Sequence, residues 1–101
     1  MGYSSCDRDV YVNEFLKLAE ENMPIYVYLA IKDAFENQNH MRKSIALTHI
    51  ANCSKKGMFS EKVFNKFLSL LDSFRDPYQD FLMEMAGITW GETQQSIIGG
   101  I

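Results

Sequence analysis

His49 and Cys53 stand four residues apart in a segment of helical pattern, so they share one helix face. Two such side chains could hold half of a metal site. Zinc needs three or four protein ligands, and neither His40 nor Cys6 has a recognisable spacing to complete the set. A Cys–His nucleophile would need an activated thiol and donors for an oxyanion, and no residue pattern supplies either. The expectation is a partly buried histidine beside a core cysteine. Carboxylates fall together at Asp7/Asp9, Glu20/Glu21 and Asp76/Asp80, where helix capping and surface charge account for them. Gly99-Gly100 follows no strand and opens no helix, unlike a phosphate-binding loop. An enzyme is not expected, nor is a metal or other cofactor.

Binding chemistry is better represented. Met41 to Lys66 carries six basic residues, Arg42, Lys43, Lys55, Lys56, Lys62 and Lys66, against one acidic residue, Glu61. This stretch of +5 lies between flanks of −4 each, in a chain of net charge −3. An acidic whole argues against nucleic-acid binding by the entire surface, while leaving room for one basic face. The stretch reads as helix, turn, helix. In DNA-binding motifs of that kind the second helix enters the major groove, and the preceding helix and turn meet phosphates. Here Lys62, Asn65, Lys66 and Ser69 would project from the reading helix. Asparagine suits adenine and lysine suits guanine. Arg42, Lys43, Lys55 and Lys56 would meet phosphates. The competing expectation is a solvated face, or ion pairs with the acidic flanking helices.

Particular positions are similar to helix-turn-helix regulators. Ala51 resembles the small residue of the first helix, Gly57 the turn glycine, and Val63 the buried branched residue of the second. The segment PYQDFLMEMAG resembles the helix that follows in Xre-type repressors. The resemblance runs from about Ile45 to Ile88 and implies DNA binding by the helix that starts at Ser60. The interval from Ala51 to Val63 is wider than that family's usual turn.

A second binding chemistry is aromatic. Tyr26, Tyr28, Phe35, Phe59, Met58, Trp90 and the methionines near the C-terminus exceed the evident needs of a small core, and aromatics and Met are enriched at interfaces. Tyr26, Tyr28, Trp90, Ile97 and Ile98 are the partner-interface candidates, with a homodimer or another protein as partner. The competing expectation is that these residues form core.

The elements that position these residues follow from apolar spacing. Tyr11, Phe15 and Leu18, beside Val12, Leu16 and Ala19, predict a first helix over Val10 to Asn22, capped by Asp9. Its other side carries Glu14, Lys17, Glu20 and Glu21. Pro24 suits the first position of a second helix, to Glu36. Within it Ile25 to Ile31 is β-branched and aromatic enough for a strand. Tyr28, Ile31 and Phe35 also fit a helix, and no second clear strand could pair with this one, so helix is the expectation and strand the alternative. The third helix spans about Met41 to Ser54, with Ala46, Ile50 and Cys53 inward. Lys55-Lys56-Gly57 is its stop. Ser60 caps the fourth, with Phe59 and Phe64 spaced as a hydrophobic staple. Val63, Phe67, Leu70, Leu71 and Phe74 form its apolar line. Asp76-Pro77-Tyr78-Gln79 predicts another start, with Asp76 as cap and Gln79 reaching back. That helix ends at Gly87, with Phe81, Leu82 and Met85 facing inward. Thr89 and Glu92 have capping-box spacing for a short last helix.

The sum is an all-α fold, a compact bundle of four to six short helices around a helix-turn-helix-like pair. It is one domain over residues 1–101, with 1–8 a frayed start and 89–101 a tail. Two cysteines make no disulfide framework, and the expected setting is cytoplasmic. The longest apolar run, Ile25 to Ile31, is too short for a bilayer. No basic start precedes a hydrophobic stretch, so no signal peptide and no membrane partner are expected. The function expected is that of a small non-enzymatic regulator that binds a macromolecule. One version is a dimeric helix-turn-helix regulator that binds DNA. The other is a protein-binding module (an inhibitor, antitoxin or adaptor) using acidic and aromatic surfaces.

Overall fold

The apolar lines of the sequence become helix faces turned onto a shared core. A computed structural model describes residues 2–37, 41–74 and 76–100, with the side chains of 2–9, 77 and 100 left aside. The described residues are helical and contain no strand. They form α1 (Gly2–Asn22), α2 (Ile25–Glu36), α3 (Arg42–Lys55), α4 (Glu61–Ser73), α5 (Pro77–Ala86) and α6 (Trp90–Gly100). Ile25 to Ile31 is therefore helix. Its β-branched residues are accommodated because Val27 and Ile31 are buried in the core, and packing outweighs local propensity. Pro24 sits one position ahead of α2 rather than inside it, and its carbonyl accepts from the amides of Val27 and Tyr28. The helix α1 extends N-terminal of Val10, so Asp9 lies within it and does not cap it.

Phe15 of α1 is the hub. It is fully buried, with its ring centroid 5.3 Å from that of Phe35, 5.7 Å from Phe67 and 5.4 Å from Phe74. Most of these pairs meet edge to face, the arrangement that suits the ring quadrupoles. Ala19, Ile31, Ala46, Leu47, Ile50 and Leu71 complete the interior. The central helix is α3, packed against α2, α4 and α6, while α1 packs against α2 and α4. Among the described residues α5 shares no comparable interface with another helix.

Local signals set the helix ends. Gly57 and Gly87 take φ of 75° and 73°, a left-handed conformation open to glycine and costly for other residues. Each closes a Schellman motif: the Met58 amide donates to the Cys53 carbonyl, and the Ile88 amide to that of Met83. The Ser60 hydroxyl accepts from the Val63 amide at 3.3 Å. Phe59 and Phe64 both pack on the core margin, and the Phe59 ring lies 5.3 Å from that of Phe67. Thr89 and Glu92 make the full reciprocal box, with bonds of 3.2 and 3.0 Å, which starts α6.

Asp76 behaves differently. It holds the N-cap position of α5, but its carboxylate makes no capping bond and turns instead to Arg42. Gln79 does not reach back either: its Nε2 donates to the Met83 sulfur at 3.5 Å. A buried guanidinium is the stronger claimant on Asp76, since an uncompensated interior charge costs more than an uncapped amide.

Candidate functional site

The six basic residues do not share one face. Arg42 is 6% exposed and Lys43 5%. The Arg42 guanidinium forms a two-pronged pair with Asp76, Nη2–Oδ1 2.7 Å and Nε–Oδ2 3.1 Å, and lies 4.9 Å from the Phe35 ring centroid and 5.4 Å from that of Phe74. The Lys43 ammonium sits 4.4 Å from the Trp90 ring centroid. Burial pushes the Lys43 pKa below its ordinary value, against the opposing pull of Asp76, Asp80 and Asp72. Arg42 and Lys43, expected to contact phosphates, are thus buried rather than presented at the surface. Arg42 is paired with a carboxylate of the C-terminal half, as weighed from sequence, and Lys43 feels the charge of three without an ion pair to any. Their unfavourable place in the first turn of α3 is compensated by tertiary contacts rather than by a polyanion. Lys55, Lys56, Lys62, Asn65, Lys66 and Ser69 remain exposed.

Cys53 is buried, and that burial raises its thiol pKa, with Lys56 partly opposing. This is the reverse of thiolate activation. His49 is half-buried on the same helix. His40 and the side chain of Cys6 lie outside the described residues. Among the described residues no group of three or more His, Cys, Asp or Glu could hold a metal, and no helix is long and apolar enough to cross a membrane.

The aromatic candidates separate as well. Tyr28, Trp90 and Ile97 pack against the core. Trp90 is also tied to α4, its Nε1 donating to Asp72 Oδ1 at 2.9 Å while Gln94 Nε2 donates to the same oxygen at 3.2 Å. Tyr26 and Ile98 are exposed.

The largest departure from the sequence reading is α5. Phe81, Leu82 and Met85, expected inward, are exposed, Phe81 at 57% and Met85 at 73%. Tyr78 and Ile88 are exposed beside them, so the outer side of this helix is apolar. The residue that α5 buries most deeply is Gln79, 3% exposed. Asp76–Arg42 fixes the start of the helix and Gln79 turns inward, which leaves the Phe81–Met85 side facing out. The sequence holds a hint, because apolar residues occupy nearly the whole circumference of this short helix, more than one core contact can use.

Two depressions border this helix, neither lined by Phe81 or Met85. One, of about 200 Å³, lies where α5 meets the starts of α3 and α6, lined by Ser44, Gln79, Leu82, Met83, Ala86 and Ile88 among others. Ser44 Oγ and Gln79 Oε1 are buried there without a hydrogen-bond partner. The other, of about 470 Å³, is lined by Asp80, Met83, Glu84, Gly87, Ile88, Thr89 and Trp90.

No known family, curated protein or solved structure matches the chain. The site is therefore read from its own chemistry.

Proposed function

We propose that this protein is a protein-binding module whose docking surface is the outer side of α5 with the depressions beside it. The observation that carries the reading is a helix with Phe81, Leu82 and Met85 turned to solvent, followed by an exposed Ile88. A contiguous exposed apolar patch with a polar rim is characteristic of an interaction surface. Aromatic residues and methionine are the side chains most enriched at such surfaces. The acidic rim, Asp80 and Glu84, adds steering and specificity. No reacting group is invoked: the protein would act as a regulator by occupying or recruiting a partner.

Affinity selection from a random-peptide display library against the intact chain tests this reading. Enriched sequences should bind the wild type and lose binding to Met85→Glu. That variant changes a side chain already in solvent and keeps the helical circular dichroism. No enrichment, or enriched sequences indifferent to Met85→Glu, refutes the reading. Duplex DNA binding at low salt that is abolished by Lys62→Ala with Lys66→Ala would move the function to α4 instead.

A further inference from the structure

The two depressions share Met83 and Ile88, so they adjoin. Their chemistries differ. The larger one is lined by Asp80, Glu84 and Trp90; the buried Lys43 ammonium, 4.4 Å from the Trp90 ring centroid, offsets part of the Asp80 charge, while Glu84 is exposed. Helices α5 and α6 carry Asp80, Glu84 and Glu92 and contain no lysine or arginine. The smaller one is mostly apolar, its polar groups being the Thr93 hydroxyl, which donates to the Thr89 carbonyl, and the buried, unpartnered Gln79 Oε1 and Ser44 Oγ. At about 200 Å³ it falls below the roughly 300–1,000 Å³ of small-molecule sites and suits a single side chain. An unpartnered acceptor of this kind is unfavourable in the free protein and gains by meeting a donor. Met83 lies across the Gln79 amide, its sulfur accepting from Nε2 at 3.5 Å. An unbranched thioether is the side chain best able to move aside for an incoming group.

We propose that these adjoining depressions receive one basic amphipathic helix from a protein partner, which sets a lysine or arginine beside Asp80 and Glu84 and a tryptophan against Gln79 and Ser44. The inference rests on the docking surface proposed above and names its partner's chemistry. Tryptophan fits the smaller depression because it joins a large apolar body to one N–H donor. The opposite charge of the partner follows from the carboxylate rim. A second copy joined by the same face would bring acidic α5 against acidic α5, which like charge opposes.

The test uses the intact chain with methionine methyls labelled for NMR, and a synthetic helical peptide of about 15 residues. One face of the peptide carries leucines and a single tryptophan, flanked by lysines. Its counterparts replace every lysine by glutamate, or the tryptophan by phenylalanine. The lysine peptide should shift the methyl of Met83, which lines both depressions, and leave the core methyl of Met23 in place. The glutamate peptide should bind at least tenfold more weakly, and Glu84→Lys should reverse that order. The phenylalanine peptide should lose about tenfold, for want of the donor to Gln79. In Gln79→Leu, with helicity checked by circular dichroism, the tryptophan and phenylalanine peptides should bind alike.

Peptides that shift Met83 without preference for lysine or tryptophan overturn this proposal and leave the docking surface standing. So does the absence of any shift, if the library selection has yielded sequences sensitive to Met85→Glu. Failure of both experiments refutes the surface itself. Concentration-dependent self-association that shifts the same methyl overturns the proposal by assigning the face to a second copy.

Discussion

Asp76→Ala would leave the Arg42 guanidinium without a counterion in the space between Phe35 and Phe74. The two side chains are 7% and 15% exposed, and two short bonds join them. Removing one member of a buried pair costs about 3–5 kcal/mol, because the other charge stays desolvated. Two effects bring the expectation here to the low end. Asp76 retains some solvent contact, and the rings at 4.9 and 5.4 Å continue to attract the cation, each by about 0.5–2 kcal/mol. We expect a loss of about 3 kcal/mol. Domains of this size have roughly 5–15 kcal/mol in all, so the variant folds but with a much reduced margin. With a urea slope of about 1.5 kcal/mol/M, the midpoint falls by roughly 2 M. Urea titrations followed by circular dichroism give the number. Arg42→Met with Asp76→Leu should recover to within about 1 kcal/mol of wild type, since apolar replacements of a buried pair are often neutral. The pair also fixes where α5 begins. In Asp76→Ala the amides of α5 should exchange with solvent faster, relative to those of α3, than in wild type. A loss below about 1 kcal/mol, as for an exposed ion pair, would refute the argument. So would a double variant that loses as much as the two single changes together.

Three further expectations concern other parts of the fold. Ser60→Ala removes the oxygen that accepts from the Val63 amide and should cost about 1 kcal/mol in the same titration, with the m-value unchanged. Lys43 has its pKa lowered in the folded state, chiefly by burial. Between that lowered pKa and the ordinary 10.5 the unfolded chain binds the extra proton, so stability rises with pH through this window. Urea midpoints of wild type should therefore gain on those of Lys43→Met as pH approaches 10.5 from below, and parallel curves would count against the assignment. Cys53 is buried with its thiol pKa raised, so in a Cys6→Ser background it should resist alkylation until urea unfolds the chain. Fast labelling in native buffer would contradict its burial.

Much of the fold is legible in the sequence because its signals are local. Gly57, Ser60, Gly87 and the Thr89/Glu92 box act within a few residues of themselves, so reading them needs no knowledge of the rest of the chain. The stripes of α1, α3 and α4 also fall where expected, with Phe15, Ala46, Ile50, Phe67 and Leu71 fully buried. Ile25 to Ile31 was ambiguous in sequence because a short apolar run suits either period, and burial on the core settles it as helix.

The candidate site was much less legible. Nothing in the order of residues marks Asp76 as the partner of Arg42, which lies 34 positions away. As a cap signal Asp76 suggested a local role, and the long-range one prevails because a desolvated guanidinium makes the stronger demand. The charge asymmetry of Met41 to Lys66 is visible in the sequence. That two of its cations face inward, toward Asp76, Asp80 and Asp72, is a property of packing alone. In α5, Phe81, Leu82, Met83, Met85 and Ala86 surround the axis, so the apolar pattern selects no face. The sequence by itself determined an all-helical chain, its helix ends and most of its core, since these depend on periodicity and on caps. Only the tertiary structure decided which side of α5 meets solvent. That choice is made by the Arg42–Asp76 pair, a contact between segments far apart in the chain, together with the burial of Gln79, and they leave Phe81 and Met85 facing outward.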